Sequence, residues 1–172
     1  MLNKIKQELE KRANPEKAKL LQRFFKTGEG HYGEGDVFLG VMVPQTREVA
    51  RMFLDVPLKE VEKSLFSKIH EERLASLLIL VEKYKKGNDK VKREVYDFYL
   101  KNTKYINNWD LVDLTSHKIV GEWLVDKNRS VLYKLARSDD LWKKRISIIS
   151  CFAFIRNNDF KDALEISRIL ID

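Results

Sequence analysis

From Pro44 onward one pattern recurs: apolar side chains three and four residues apart over nine to eighteen positions, then a break of two to four residues. The spacing predicts helices over 44–54, 57–67, 70–86, 89–103, 108–125, 129–137, 140–156 and 160–171. Pro57, Gly87-Asn88, Asn107-Asn108, Asn128 and Ser138-Asp139 supply the punctuation. No alternating, period-two stretch is long enough to argue for a sheet, so the expected class is all-α. Upstream, 2–13 places Leu2, Ile5 and Leu9 at helical spacing. Asn14-Pro15 then starts a second helix, with Asn as N-cap and Pro at the first helical position. That helix carries Leu20, Leu21, Phe24 and Phe25 and stops at Gly28. The irregular segment 28–40 follows, holding five of the seven glycines.

The helices come in pairs. Second members begin near His70, Asn108 and Asp140, offsets of 38 and 32 residues. That spacing lies in or near the range of two-helix solenoid repeats of the HEAT and armadillo kind. The expectation is an α-α superhelix, a HEAT-like solenoid whose inner helices line a concave surface; a generic helical bundle is the alternative. At 172 residues the chain fits one domain with a real core. Its internal organisation is expected to be 1–43, N-terminal helices and Gly-rich loop, then 44–172, paired-helix repeats lacking a final helix.

Thirty-three Lys and Arg against 26 Asp and Glu leave a net charge of +7, which suits nucleic acid or another polyanion. No apolar run approaches a membrane span, and the first residues are too charged to read as a secretory signal. The single Cys151, set in Ile148-Ile-Ser-Cys-Phe-Ala-Phe-Ile155, cannot form an internal disulfide and reads as a small buried hydrophobe. A cytoplasmic setting is expected, with no membrane partner.

The most informative stretch is Tyr105-Ile-Asn-Asn-Trp-Asp-Leu-Val-Asp113 and the helix it opens. Asn107 or Asn108 caps that helix, and Asp110 in the first turn favours the positive helix end. Capping does not explain Asp113. At 100° per residue the apolar stripe falls on Trp109, Val112, Ile119, Val120, Trp123 and Leu124, with Asp113 inside it. A carboxylate there is partly desolvated unless a cation faces it. In 140–156 the apolar sector is Leu141, Ile148, Ile149, Phe152 and Ile155, and Arg145 points into it. In 70–86 the stripe of Leu77, Leu80, Val81 and Tyr84 includes Arg73. Stacked repeats would bring Asp113 and Arg145 within reach of each other.

Two readings of that pair stay open. One is an internal salt bridge that fixes helix register and stabilises little once desolvation is counted. The other places the pair in an inner cleft, with Trp109 one turn earlier on the same face. There an Arg can hold a phosphate by a forked contact, and an indole offers a flat surface to a sugar or base.

Asn107-Asn-Trp-Asp-Leu-Val-Asp113, Asp140-Leu-Trp-Lys-Lys-Arg-Ile146 and Phe152-Ala-Phe-Ile-Arg156 resemble the DNA alkylation repair enzymes, the AlkD-like DNA glycosylases built from HEAT-like repeats. Phe38-Leu-Gly-Val-Met-Val-Pro44 with Arg47 resembles the entry into that family's first repeats, and the similarity runs from about Ala18 to the end. The resemblance implies hydrolysis of the N-glycosidic bond of purines alkylated at N3 or N7 in duplex DNA, by a monofunctional enzyme that uses no cofactor or metal. It implies catalytic roles for Asp113, Trp109 and Arg145; beside them, DNA contacts are expected from Arg73, Lys143, Lys144 and Trp142. It also implies that the base need not enter a deep pocket.

Two features depart from the family pattern. Its further helix with a second aromatic wall has no counterpart before Asp172, and 28–40 is longer than in some active members. Only Phe24 or Phe25 loosely matches an aromatic residue near the start of the repeats in active members. A non-catalytic module binding damaged or branched DNA, or a protein partner, is the alternative.

Other motifs carry less. Segment 28–40 lacks a Gly-Lys-Ser/Thr ending and a preceding strand, so it reads as a connector rather than a phosphate loop. His31, His70 and His117 show no metal-ligand spacing with each other or with Cys151. His117, four residues after Asp113, reads as a hydrogen-bonding helix residue rather than a proton shuttle. Lys85-Lys86 and Lys143-Lys144 read as solvated charge or as phosphate contacts.

Overall fold

The computed structural model describes residues 1–171, and every named element among them is helical. The all-α expectation therefore holds. The chain forms two compact units, Met1–Glu82 and Lys83–Asp172.

In the first unit α1 (Leu2–Glu10) buries Ile5 and Leu9 against α3 (Val43–Met52) and α4 (Leu58–Leu65). Between them, α2 (Pro15–Phe24) starts as expected: Pro15 is the first helical residue, and Asn14 Oδ1 accepts from the Lys17 amide at 3.0 Å. Unusually, α2 has no buried residue; Leu20 and Phe24 are exposed, and only Phe25 beyond its end enters the core. α5 (His70–Lys86) begins in the first unit and carries the chain across the division at Glu82. Its residues from Leu74 to Val81 are buried all round, as expected of an internal helix.

Segment 28–40 is a connector that folds back onto the start of α5. Val37 bridges Ile69, with Val37 N donating to Lys68 O at 3.0 Å and His70 N to Val37 O at 2.8 Å. The buried Glu71 carboxylate accepts from the amides of Leu39, Gly40 and Val41 at 2.8–3.2 Å. Gly40 sits at φ +82°, and a Cβ there would lie 2.1 Å from Asn14 O, so only glycine fits. These bonds fasten the loop to the helix that follows it.

The second unit contains α6 (Asp89–Lys101), a 3-10 turn (Thr103–Tyr105), α7 (Trp109–Asp113), a π turn (His117–Gly121) and α8 (Glu122–Leu124). α9 (Ser130–Ala136), α10 (Leu141–Ser150), α11 (Phe152–Ile155) and α12 (Lys161–Ile171) complete it. α10 lies at the centre, packed against α9, α7, the π turn and α12. Val112, Ile119, Val120, Ile146 and Phe154 are fully buried in this unit.

Two expectations need correction here. The single helix over 108–125 is broken into α7, a π turn and α8. The cause is local: Thr115 Oγ1 bonds back to Leu111 O, which bends helices, and the π turn then absorbs an extra residue. The helix over 140–156 is likewise interrupted at Cys151. Ser150 Oγ reaches Ile146 O at 2.6 Å, and Cys151 Sγ reaches Ser147 O at 3.4 Å. Its apolar sector also differs from the expected one. Ile146, Ser147, Ser150, Cys151, Ala153 and Phe154 face the core, whereas Leu141 and Phe152 are 60% and 47% exposed. Ser147, Ser150, Cys151 and Ala153 on the buried side allow close packing around Ile146 and Phe154, while Leu141 and Phe152 stay at the rim. In α12, Ile166 is buried and Leu164 is exposed.

Candidate functional site

α7 is set by its caps and by the helix beneath it. Asn108 is fully buried and its Oδ1 accepts from the Trp109 amide at 2.8 Å; Asp110 Oδ1 accepts from Leu111 N at 2.8 Å. From α6, Tyr99 OH meets Thr115 Oγ1 at 2.9 Å, and Thr115 in turn bonds the Leu111 carbonyl. Burial pushes the Tyr99 phenol far above its ordinary range, so it stays a neutral hydrogen-bonding strut. This chain of bonds anchors the end of α7 that carries Asp113.

Arg145 is set by α10, whose N-cap Asp140 accepts from the amides of Trp142 at 2.8 Å and Lys143 at 3.3 Å. One turn later its guanidinium meets Asp113 side-on. Arg145 Nε donates to Asp113 Oδ1 at 2.7 Å and Arg145 Nη2 to Asp113 Oδ2 at 2.6 Å. The bonded carboxylate raises the Arg145 pKa further, against the smaller opposing effect of burial. The side chains keep 38% and 30% exposure, so the pair lies at a surface. An ion pair this exposed contributes roughly 0–1 kcal/mol to stability. Its geometry matters more than its energy. A guanidinium has five N–H donors, so about three remain after the fork is made. The carboxylate keeps lone pairs for water or for a developing positive charge.

Trp109 lies one turn before Asp113 and is half-buried, as are Trp142, Lys143 and Lys144 at the start of α10. The two lysines make no ion pair among the described residues. Phe152 is exposed beside His117, with ring centroids 6.3 Å apart. Burial, then Lys118 and Arg156, hold the His117 pKa below its usual value, opposed by nearby Asp113; the imidazole is neutral at pH 7. Gly121 allows the π turn to touch the end of α10. An added Cβ there would lie 2.3 Å from Ser150 O.

Arg73 has a different setting from the one expected. It is 6% exposed, and its Nη2 donates to Asp36 Oδ2 at 2.7 Å while Nη1 donates to Ser67 O at 3.3 Å. His70 Nδ1 lies 3.1 Å from the same Asp36 oxygen, and its ring stacks on Phe38. The guanidinium is consumed in fastening 28–40 to α5, and a phosphate has no access to it. Cys151 is buried and its thiol is pushed up to about 12 by burial, which makes it inert.

The profile described as DNA alkylation repair enzyme matches residues 5–172, nearly the whole chain. The chain belongs to the DNA alkylation repair enzyme family. A search of the curated proteins finds no match to it. Membership gives the chain a role in DNA repair and makes DNA its substrate class. No helix of the described residues is long and apolar enough to cross a membrane.

Proposed function

We propose that this family member hydrolyses the N-glycosidic bond of N3- or N7-alkylated purines in duplex DNA, with Asp113 as the central catalytic group. The observation that carries the reading is the forked Asp113–Arg145 pair, held with both side chains partly open to solvent.

The chemistry fits a carboxylate that is fixed but not dry. Alkylation at N3 or N7 leaves a positive charge on the base. When the C1′–N bond breaks, its electron pair neutralises that charge, and the base departs as a neutral molecule with no general acid required. Positive charge develops instead on the deoxyribose, as in other glycoside cleavages. A preorganised carboxylate at Asp113 stabilises the oxocarbenium-like transition state and orients the attacking water. The water's oxygen bonds C1′ and its released proton passes to Asp113 or bulk solvent. Arg145 holds both carboxylate oxygens in place, and its remaining donors suit a flanking phosphate. Trp109 offers a flat wall to the sugar; Lys143, Lys144 and Trp142 supply DNA contacts beside it.

The test is release of methylated base from alkylated duplex by wild type and Asp113→Asn. The amide is close in shape but carries no charge. Release is expected to fall by about 10²–10³, with duplex binding retained. Equal release would remove Asp113 from the chemistry. Duplex binding without any release by the wild-type protein would instead mark a non-catalytic DNA-binding module.

A further inference from the structure

In the first unit, the end of α2 and the turn after it enclose an open cleft of about 570 Å3 lined by Lys19, Arg23, Lys26, Thr27, Gly28 and His31. Lys19 and Arg23 are four apart on one helix face. Lys26 follows just after the helix, in the left-handed region at φ 49°, a conformation that costs a non-glycine residue about 1 kcal/mol. Gln22 forms the floor, but its amide is already committed: Nε2 donates to Thr27 Oγ1 and to Asp36 O, both at 2.6 Å. These bonds tie the cleft wall to the fixed loop 28–40.

The cations of this cleft lack counter-charges. Arg23 and Lys26 make no ion pair among the described residues. Lys19 reaches only Glu16 at 3.6 Å, with both side chains more than three-quarters exposed. Such a pair is worth at most about 1 kcal/mol and gives way readily. Three adjacent cations with little neutralisation around an open cleft form a basic surface suited to a polyanion.

We propose that this cleft is a further DNA-contacting surface, which seats a sugar–phosphate segment of duplex DNA between Arg23, Lys26 and Lys19. The volume takes a phosphodiester with its deoxyribose, far more than a single inorganic ion. The cleft is open and its cations are exposed, so it suits several modest contacts along a polyanion better than enclosure of a small anion. The exposed Leu20 and Phe24 on the same helix are too few to favour a lipid surface over nucleic acid.

The experiment is equilibrium binding of the full chain to an undamaged labelled duplex across a salt series. The test variant is Arg23→Glu with Lys26→Glu, and the control is Lys59→Glu with Lys68→Glu, which makes the same charge change at exposed positions outside the cleft. Loss of two phosphate contacts should make the log–log salt slope shallower by about 2 and weaken low-salt binding at least tenfold. The control should lose much less, and Arg23→Lys should retain most of the affinity. Circular dichroism and the melting midpoint are expected to match wild type, since both residues are exposed. Unchanged duplex affinity and slope in the test variant would overturn the proposal, as would an equal loss in the control. So would a site that binds deoxyadenosine monophosphate or phosphatidylserine vesicles while duplex binding is indifferent to the variant. Because the duplex carries no lesion and no base release is read, the result is independent of the role of Asp113.

Discussion

The π turn approaches α10 so closely at Gly121 that a methyl group there would sit 2.3 Å from Ser150 O and 2.9 Å from Ala153 Cβ. α7, which carries Asp113, leads into that turn, and α10 carries Arg145. The contact thus fixes the separation of the two elements whose charges form the fork. Both neighbours are backbone or short side chain, so nothing flexible can yield.

Gly121→Ala is therefore expected to destabilise the protein by about 1–3 kcal/mol through overpacking. Urea unfolding followed by circular dichroism measures it. The same substitution should reduce base release more than duplex binding, because a shift of the π turn from α10 loosens the Asp113–Arg145 geometry.

Arg145→Lys tests the fork itself. An ammonium is a point charge and cannot hold both carboxylate oxygens side-on. The pair is half-exposed, so stability should change by less than about 1 kcal/mol. Base release is expected to fall roughly tenfold or more, since a carboxylate free to rotate no longer meets the sugar at a fixed position. Single-turnover release at saturating enzyme separates this loss from weaker binding.

Cys151 should be silent in the native state. Its thiol, pushed up to about 12 and buried against Ser147 O, presents almost no thiolate at pH 8. Labelling by an aromatic disulfide reagent is expected to be slow in buffer and complete within minutes in denaturant. Rapid native labelling would show that α10 and α11 open at Cys151.

The sequence revealed the Asp113–Arg145 contact because each charge interrupts an apolar helical stripe and the stripes recur at repeat spacing. Arg73 met the same criterion, and the structure gives it a buried carboxylate partner in place of an open face. Its partner, Asp36, lies in a loop without periodicity, where no pattern places one residue against another. Helix interruptions were equally hidden. The Gly121 contact depends on a neighbouring helix, and the Thr115 back-bond on which rotamer the threonine takes, so Asn108 through Val125 reads as one continuous helix by spacing alone. The basic cleft escaped notice for a similar reason: Lys19, Arg23 and Lys26 look like solvated charge until the turn after α2 folds around them.

The Asp36 cluster gives the clearest pH dependence. Burial alone would raise the Asp36 carboxyl, but hydrogen bonds from His70 and Arg73 and the Arg73 charge hold it below the ordinary range. An unfolded aspartate titrates near 3.9. The unfolded state therefore takes up the proton first as pH falls, and the stabilising contribution of Asp36 is whole above about pH 5. It declines as pH drops through 4 and is lost once the folded carboxyl protonates. Asp36→Asn leaves the buried Arg73 guanidinium without a counter-charge, which should cost about 3–5 kcal/mol at pH 7. On acidification to pH 3 the difference between variant and wild type should narrow, because the wild-type carboxylate is then losing its charge as well. Chemical denaturation at both pH values measures the two gaps, and a gap that stays constant would mean the ionised Asp36–Arg73 contact is not what fastens 28–40 to α5.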